Sequence, residues 1–296
     1  MLGRLTLPKF EYYAPRTVPD AVGLLRKHRG RAEILAGGTI VLPDLRRGKE
    51  KPEAKKVLVD INNLQNLQYI KFNRNTGLKI GSMTKVDSIE KSETIRKNYP
   101  AIFDAARNMG TIQIRNMATI GGNLCGGSQC SDLAVPLLAL EAKLTLRGKG
   151  KERIMRMDEL YAGPGRTHLR EDEILTEIRV PYFKDCGMAS MRYGRTAVDL
   201  GLAKVTIALK MDQRGRCSMF RLAVGAATKV PKRLVSAEKL LTGKTPDESW
   251  ADQIGQILDS ENYLEDFRAS AEYRKQLAKV LAKRALEKAL GMVKMR

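Results

Sequence analysis

The chain has 296 residues, of which 43% are hydrophobic and 29% charged, enough apolar content for a sizeable core; whole-chain disorder is excluded. Its 53 Lys and Arg against 33 Asp and Glu give a net charge of +20, and its four Cys are too few and too scattered for a disulfide framework. No apolar run reaches the roughly 20 residues of a membrane span, and the start MLGRLTLPKF has no apolar stretch before Pro8, so a reducing cytoplasm is the expected compartment.

At about 100–200 residues per domain, the length predicts about two domains. The pattern AVGLLRK over Ala21 to Lys27 predicts a short helix after Pro15 and Pro19. Ala32 to Leu35 predicts a strand running into Ala36-Gly37-Gly38-Thr39, with a helix from Val41 to Leu45. KVLVD over Lys56 to Asp60 is a second, β-branched strand. Leu67 to Ile70 and Leu78 to Ile80 predict a strand pair around the turn Asn73-Arg74-Asn75-Thr76-Gly77. One helix is expected over Ile89 to Lys97, capped near Asp87 or Ser88, and another over Ala101 to Asn108. Ile112 to Thr119 leads into a second glycine turn, Ile120-Gly121-Gly122-Asn123. Asp132 to Leu140 reads as a buried helix, and Lys143 to Arg147 and Glu173 to Val180 as strands. Beyond Pro181 three antiparallel strands are predicted at 189–195, 202–211 and 216–227. Helices follow from Ser236, the longest over 268–290, with Lys275, Lys279 and Lys283 on one ridge.

The charge is clustered: residues 267–296 carry a net +7, and 46–56 and 147–156 a net +4 each. These basic stretches lack the interleaved aromatics of a single-strand stacking platform, and neither zinc-finger spacing nor an RNP-like strand is present. They read as solvated faces or docking surfaces for acidic partners. A basic scaffold or nucleic-acid binder is the competing class.

Glycine lets backbone N–H groups close around an anion, and two such turns could grip both phosphates of a dinucleotide. Neither turn matches G-x-G-x-x-G or a P-loop, and a lone Gly-Gly is more often just a tight turn. Asp132 sits where an Asp either caps a helix or accepts from ribose hydroxyls. Cys125 and Cys130 are too few for a metal site. His28 and His168 read as solvated. No nucleophile–base arrangement is discernible.

Taken together, FEYYAPRTVPDAVGLL (10–25), ILAGGTIVLPDLRRG (34–48), IRNMATIGGNLCGGSQCSDLAVPLLALEAKL (114–144) and DEILTEIRVPY (172–182) make the chain resemble the FAD-binding (medium) subunit of the molybdenum hydroxylases. That family includes the flavin subunits of xanthine dehydrogenases, aerobic carbon monoxide dehydrogenase and 4-hydroxybenzoyl-CoA reductase. The resemblance implies an α+β protein with a vanillyl-alcohol-oxidase (PCMH)-type FAD-binding fold. Two α/β subdomains would span 1–58 and 59–182. A C-terminal domain with a three-stranded antiparallel sheet and helices would span 183–296. It implies FAD as cofactor, bound by a first loop of Ile34, Leu35, Ala36, Gly37, Gly38, Thr39, Ile40 and Val41 and a second of Thr119, Ile120, Gly121, Gly122 and Asn123. Asp132 would hold the adenosine end, and Leu175 would line the cofactor. Arg192 or Tyr193 would stand near the flavin ring, while Met109 takes a position that is aromatic in the eukaryotic enzymes. No protein residue is catalytic, since the flavin does the chemistry, and no metal is expected on this chain.

The implied partners are a molybdopterin-binding large subunit and a small subunit with two [2Fe–2S] clusters. The chain would pass electrons to an external acceptor such as NAD. The alternatives are a 4-hydroxybenzoyl-CoA reductase-like complex running reductively, or a stand-alone flavin oxidoreductase. Only four residues separate Cys125 from Cys130, too few for the inserted cluster-bearing loop of the reductase branch.

Overall fold

The computed structural model describes residues 7–47, 56–150 and 152–294. Most of the basic stretch 46–56 therefore lies outside the described residues. The N-terminal layer runs β1 (Phe10–Tyr13), α1 (Val18–Lys27), β2 (Ala32–Leu35), α2 (Val41–Arg47) and β3 (Lys56–Asp60). These strands form a parallel sheet in the order β1-β3-β2. Central β3 buries Val57, Leu58 and Val59 completely. The Thr17 hydroxyl caps α1 by accepting from the Asp20 amide. The helix then packs Ala21, Val22 and Leu25 toward the sheet. His28, expected to be solvated, is buried: its ring packs 5.2 Å from Tyr13.

The middle layer begins with a 3₁₀ turn at Gln65–Leu67, then β4 (Ile70–Asn73) and β5 (Gly77–Gly81). The predicted strand pair is present, but its first strand starts at Ile70, because Leu67 is taken up by the turn. The single helix expected over 89–97 is two, α3 (Val86–Glu90) and α4 (Glu93–Asn98), and it is the Ser92 hydroxyl that caps the second. Next come α5 (Pro100–Arg107), α6 (Ile112–Met117), α7 (Ile120–Cys125) and α8 (Ala134–Ala139). Strands β6 (Lys143–Arg147), β7 (Arg153–Arg156), the small β8 (Tyr161–Gly163) and β9 (Arg166–Thr167) pair, and β10 (Ile174–Val180) follow. The five-stranded sheet has the order β4-β5-β10-β6-β7, with β10 antiparallel to both neighbours. Its apolar face and the helices α3, α5 and α8 share the largest core, which contains Ile80, Leu146 and Ile178.

The C-terminal domain comprises β11 (Cys186–Tyr193), β12 (Ala203–Met211), β13 (Cys217–Gly225), β14 (Lys232–Arg233), α9 (Val235–Leu241), α10 (Trp250–Asp259) and α11 (Ala271–Lys294). The three predicted strands are joined by a fourth, since two-residue β14 pairs with the edge of β13. Helix α11 lies so close to β11 that a Cβ on Gly187 would stand 2.0 Å from the Ala289 carbonyl oxygen. One face of the sheet packs on α9 to α11, with Phe220 edge-on to the buried Trp250. Ala208 and Ala223 join the middle-layer core instead, so the two halves are packed together. No helix among the described residues is long and apolar enough to cross a membrane.

Candidate functional site

The first glycine turn leaves the carboxyl end of β2, the end at which parallel α/β layers bind ligands. Gly38 has a φ of +72°, a conformation that strains any side chain. The rear of the turn is pinned by the Asn62 amide, which donates to Ala36 O at 2.8 Å and to Asp60 Oδ1 at 2.7 Å. Toward the front, the N–H groups of Gly37, Gly38, Thr39 and Ile40 find no acceptor among the described residues. Four successive open amides at a strand end make a concavity suited to an anion.

The second glycine turn is built differently. Thr119 caps α7, its hydroxyl accepting from the Gly122 amide at 3.0 Å. The amides of Ile120 and Gly121 donate to Thr84 O and Ser82 O, and that of Asn123 to Thr119 O. Its leading amides are thus already used in docking the turn onto the segment after β5. A Cβ on Gly121 would lie 2.7 Å from Ser82 O, and the buried Ser82 hydroxyl beside it has no partner. The two turns meet. A Cβ on Gly37 would fall 2.1 Å from Met117 O, and one on Gly126 2.6 Å from the Ile40 side chain. Lys85, whose pKa is lowered by burial, donates to the same Met117 carbonyl at 3.1 Å. A half-buried cation therefore stands at the seam of the two turns.

Asn123 ties the second turn to the Asp132 segment, its Oδ1 accepting from Ser131 Oγ at 2.7 Å and from the Leu133 amide at 3.2 Å. Asp132 does not cap α8, which has no side-chain cap. Its Oδ1 is held instead by Lys204 Nζ at 2.6 Å, with Arg192 Nε 3.5 Å away. Arg192 and Lys204 are directly opposed residues of β11 and β12. Opposed like charges are unfavourable, and the carboxylate between them offsets the repulsion. Lys204 also donates to Cys130 O. The Cys130 thiol is met by Arg268 at 3.6 Å, and Arg268 and the fully buried Arg274 both bind Asp266 at 2.7 Å. Burial raises the Asp266 pKa, but the bonds from Arg268 outweigh it and hold the carboxyl well below the usual range. Four cations in this chain of contacts thus face two carboxylates.

Tyr193 turns away from this cluster, as strand alternation requires, and lines a groove along α11 with Tyr273 and Leu281. Leu175 is buried in β10, next to Thr176, whose carbonyl accepts the Ser82 amide. Met109 is buried and 3.8 Å from the Asn123 amide nitrogen. Burial pushes the Cys125 thiol up to about 12, so it stays protonated at neutral pH. Among the described residues, no three His, Cys, Asp or Glu side chains gather as metal ligands would.

The profile for the FAD binding domain in molybdopterin dehydrogenase matches residues 8–183. The chain belongs to that family. A second profile, the CO dehydrogenase flavoprotein C-terminal domain, matches residues 191–289. The chain is 30% identical over 281 residues to the glyceraldehyde dehydrogenase medium chain of Sulfolobus acidocaldarius, covering 95% of this chain and 98% of that one. It is 31% identical over 289 residues to a xanthine dehydrogenase FAD-binding subunit of Escherichia coli, covering 95% and 96%. Among solved structures, carbon monoxide dehydrogenase from Hydrogenophaga pseudoflava superposes with a TM-score of 0.92 at 30% identity, over 97% of this chain and 99% of that one. The chain is therefore a flavoprotein subunit of the xanthine and carbon monoxide dehydrogenase family, an oxidoreductase component with FAD as its cofactor.

Features of this chain suit such a cofactor. The open amides and the glycine contacts allow a pyrophosphate to approach the backbone, and the cation excess favours an anion nearby. Sequence reasoning missed Lys204, Lys85 and Asn62. For Lys204 a signal existed: it is the sole cation within the apolar run Ala203 to Leu209 of a buried strand. A lysine there needs a partner.

Proposed function

We propose that this chain is the electron-relay subunit of a molybdenum hydroxylase. It would stand between the [2Fe–2S] clusters of a small partner subunit and an external acceptor such as NAD. A large partner subunit would carry molybdopterin and act on the substrate. FAD supplies the relay chemistry, because it can exchange electrons singly or as a pair. The observation that carries the reading is the close approach of the first glycine turn to the segments flanking the second, with the amides of residues 37–40 left without an acceptor among the described residues. Medium chains and FAD-binding subunits of several dehydrogenases resemble this chain along nearly its whole length, which supports a place in the same kind of assembly.

On this reading the chain's own residues bind and position. Residues 34–41 and 119–123 would enclose the pyrophosphate, Asp132 would accept from the ribose hydroxyls, and Leu175 would line the cofactor. Arg192 would hold a cation near the cofactor, and Tyr193 would stand outside that contact. The four cysteines are free thiols, which suits a reducing cytoplasm. The test is to isolate the complex from its source and add the substrate of the large subunit anaerobically. The flavin absorbance should bleach and return when acceptor is added. A complex whose molybdenum and iron–sulfur centres are reduced while the flavin stays oxidised would overturn the relay.

A further inference from the structure

We infer that Lys204 is a positioning residue for the adenosine half of FAD, acting through Asp132; this rests on the proposed placement of Asp132 at that end. Lys204 is 3% exposed, and its ammonium has two acceptors, Asp132 Oδ1 and the Cys130 carbonyl. Both lie on the segment between α7 and α8, whereas Lys204 belongs to the C-terminal sheet. The lysine thus reaches across the two halves of the molecule and fixes that segment at two points.

The contact is one-sided. Lys204 and Arg192 both make their closest approach to Asp132 at Oδ1. A carboxylate held by one oxygen presents the other in a fixed direction, and pre-set geometry lowers the cost of binding. Asn123 braces the same segment from the second glycine turn through Ser131 and Leu133. The strand residue, the carboxylate and the turn form one rigid path. Without the lysine, Asp132 loses its fixed direction, and Arg192, at 3.5 Å without a hydrogen bond, does not replace the contact.

The test measures FAD and FMN affinities of the purified full chain by flavin fluorescence in four forms: wild type, Lys204→Met, Asp132→Asn and the double variant. FMN lacks the adenosine half. Lys204→Met is expected to weaken FAD by about tenfold, the loss of one charge-assisted contact, and to leave FMN unchanged. The double variant is expected to match Asp132→Asn, because the lysine acts through that carboxylate. Unchanged FAD affinity in Lys204→Met, an equal proportional loss for FAD and FMN, or an additive loss in the double variant would each overturn the inference. If Lys204→Met does not fold, the comparison of Asp132→Asn with the double variant decides, since both remove the unpaired carboxylate. A wild-type chain that binds no FAD would instead defeat the proposed function.

Discussion

At the scale of single residues, the site depends on atoms that are missing from side chains. Gly37 lets Met117 O come to where a Cβ would otherwise stand, at 2.1 Å. Gly37→Ala must push the first glycine turn away from the end of α6 that leads into the second, at a cost of about 1–3 kcal/mol. If the turns enclose the pyrophosphate, FAD affinity should fall by about ten- to a hundredfold, as read by titration of flavin fluorescence. Gly23→Ala is the matched control, because nothing lies within 4 Å of its added Cβ and alanine favours a helix. FAD affinity there should not change. Equal affinity in both variants would contradict the role of the turns. With the amides of residues 37–40 open, the first turn is better suited to an anion than the second. In the second turn the same groups are spent on holding Thr84, Ser82 and Thr119.

At the scale of elements, the strap from Leu264 to Ser270 ties α11 to the sheet through Asp266. Arg274 has no solvent exposure and also donates to Leu202 O and Ala226 O. Removing its anion should be costly, because a buried charge is left without a counter-ion. Asp266→Asn is expected to lower unfolding stability by about 2–3 kcal/mol, measured by urea denaturation at neutral pH. Folding depresses this carboxyl's pKa below the ordinary aspartate value of about 4, so its contribution is complete above that value. The contribution is lost as pH falls from there through the folded value. The stability gap between wild type and Asp266→Asn should therefore be constant at neutral pH and shrink below about pH 4. A gap that grows on acidification would contradict the clamp.

The elements also show what could be read from sequence. Strands β3, β6 and β10, and helices α1, α5 and α11, carry local signals in apolar periodicity, β-branching and flanking Pro, and their positions were legible to within a few residues. The break between α3 and α4 was not, because it turns on Ser92 capping the second helix and leaving the first to end at Lys91. The burial of His28 depends on Tyr13 in another element. Asp132 looks like a helix cap from its spacing, yet its partners are Arg192 and Lys204, some 60–70 residues away. The glycine turns were legible as motifs. Their contact at Gly37 and Met117 was not, since it is a tertiary approach between distant segments.

At the scale of the whole molecule, the net charge of +20 takes on a different meaning. Part of the basic ridge on α11 is neutralised within the chain: Lys275 pairs with Glu272 and Lys279 with Asp259. The ridge is thus a weaker docking surface than its spacing implies. A more consequential excess lies inside, where among the described residues Arg192, Lys204, Arg268 and Arg274 pair with two carboxylates, Asp132 and Asp266. A buried excess of cations favours an anionic ligand nearby. The most direct measurement is equilibrium dialysis of the purified chain against FAD, followed by the absorption spectrum of the retained flavin. The account predicts a yellow protein holding one FAD per chain, with the flavin bands shifted from those of free FAD. A colourless chain that retains no FAD at saturating concentration would contradict it.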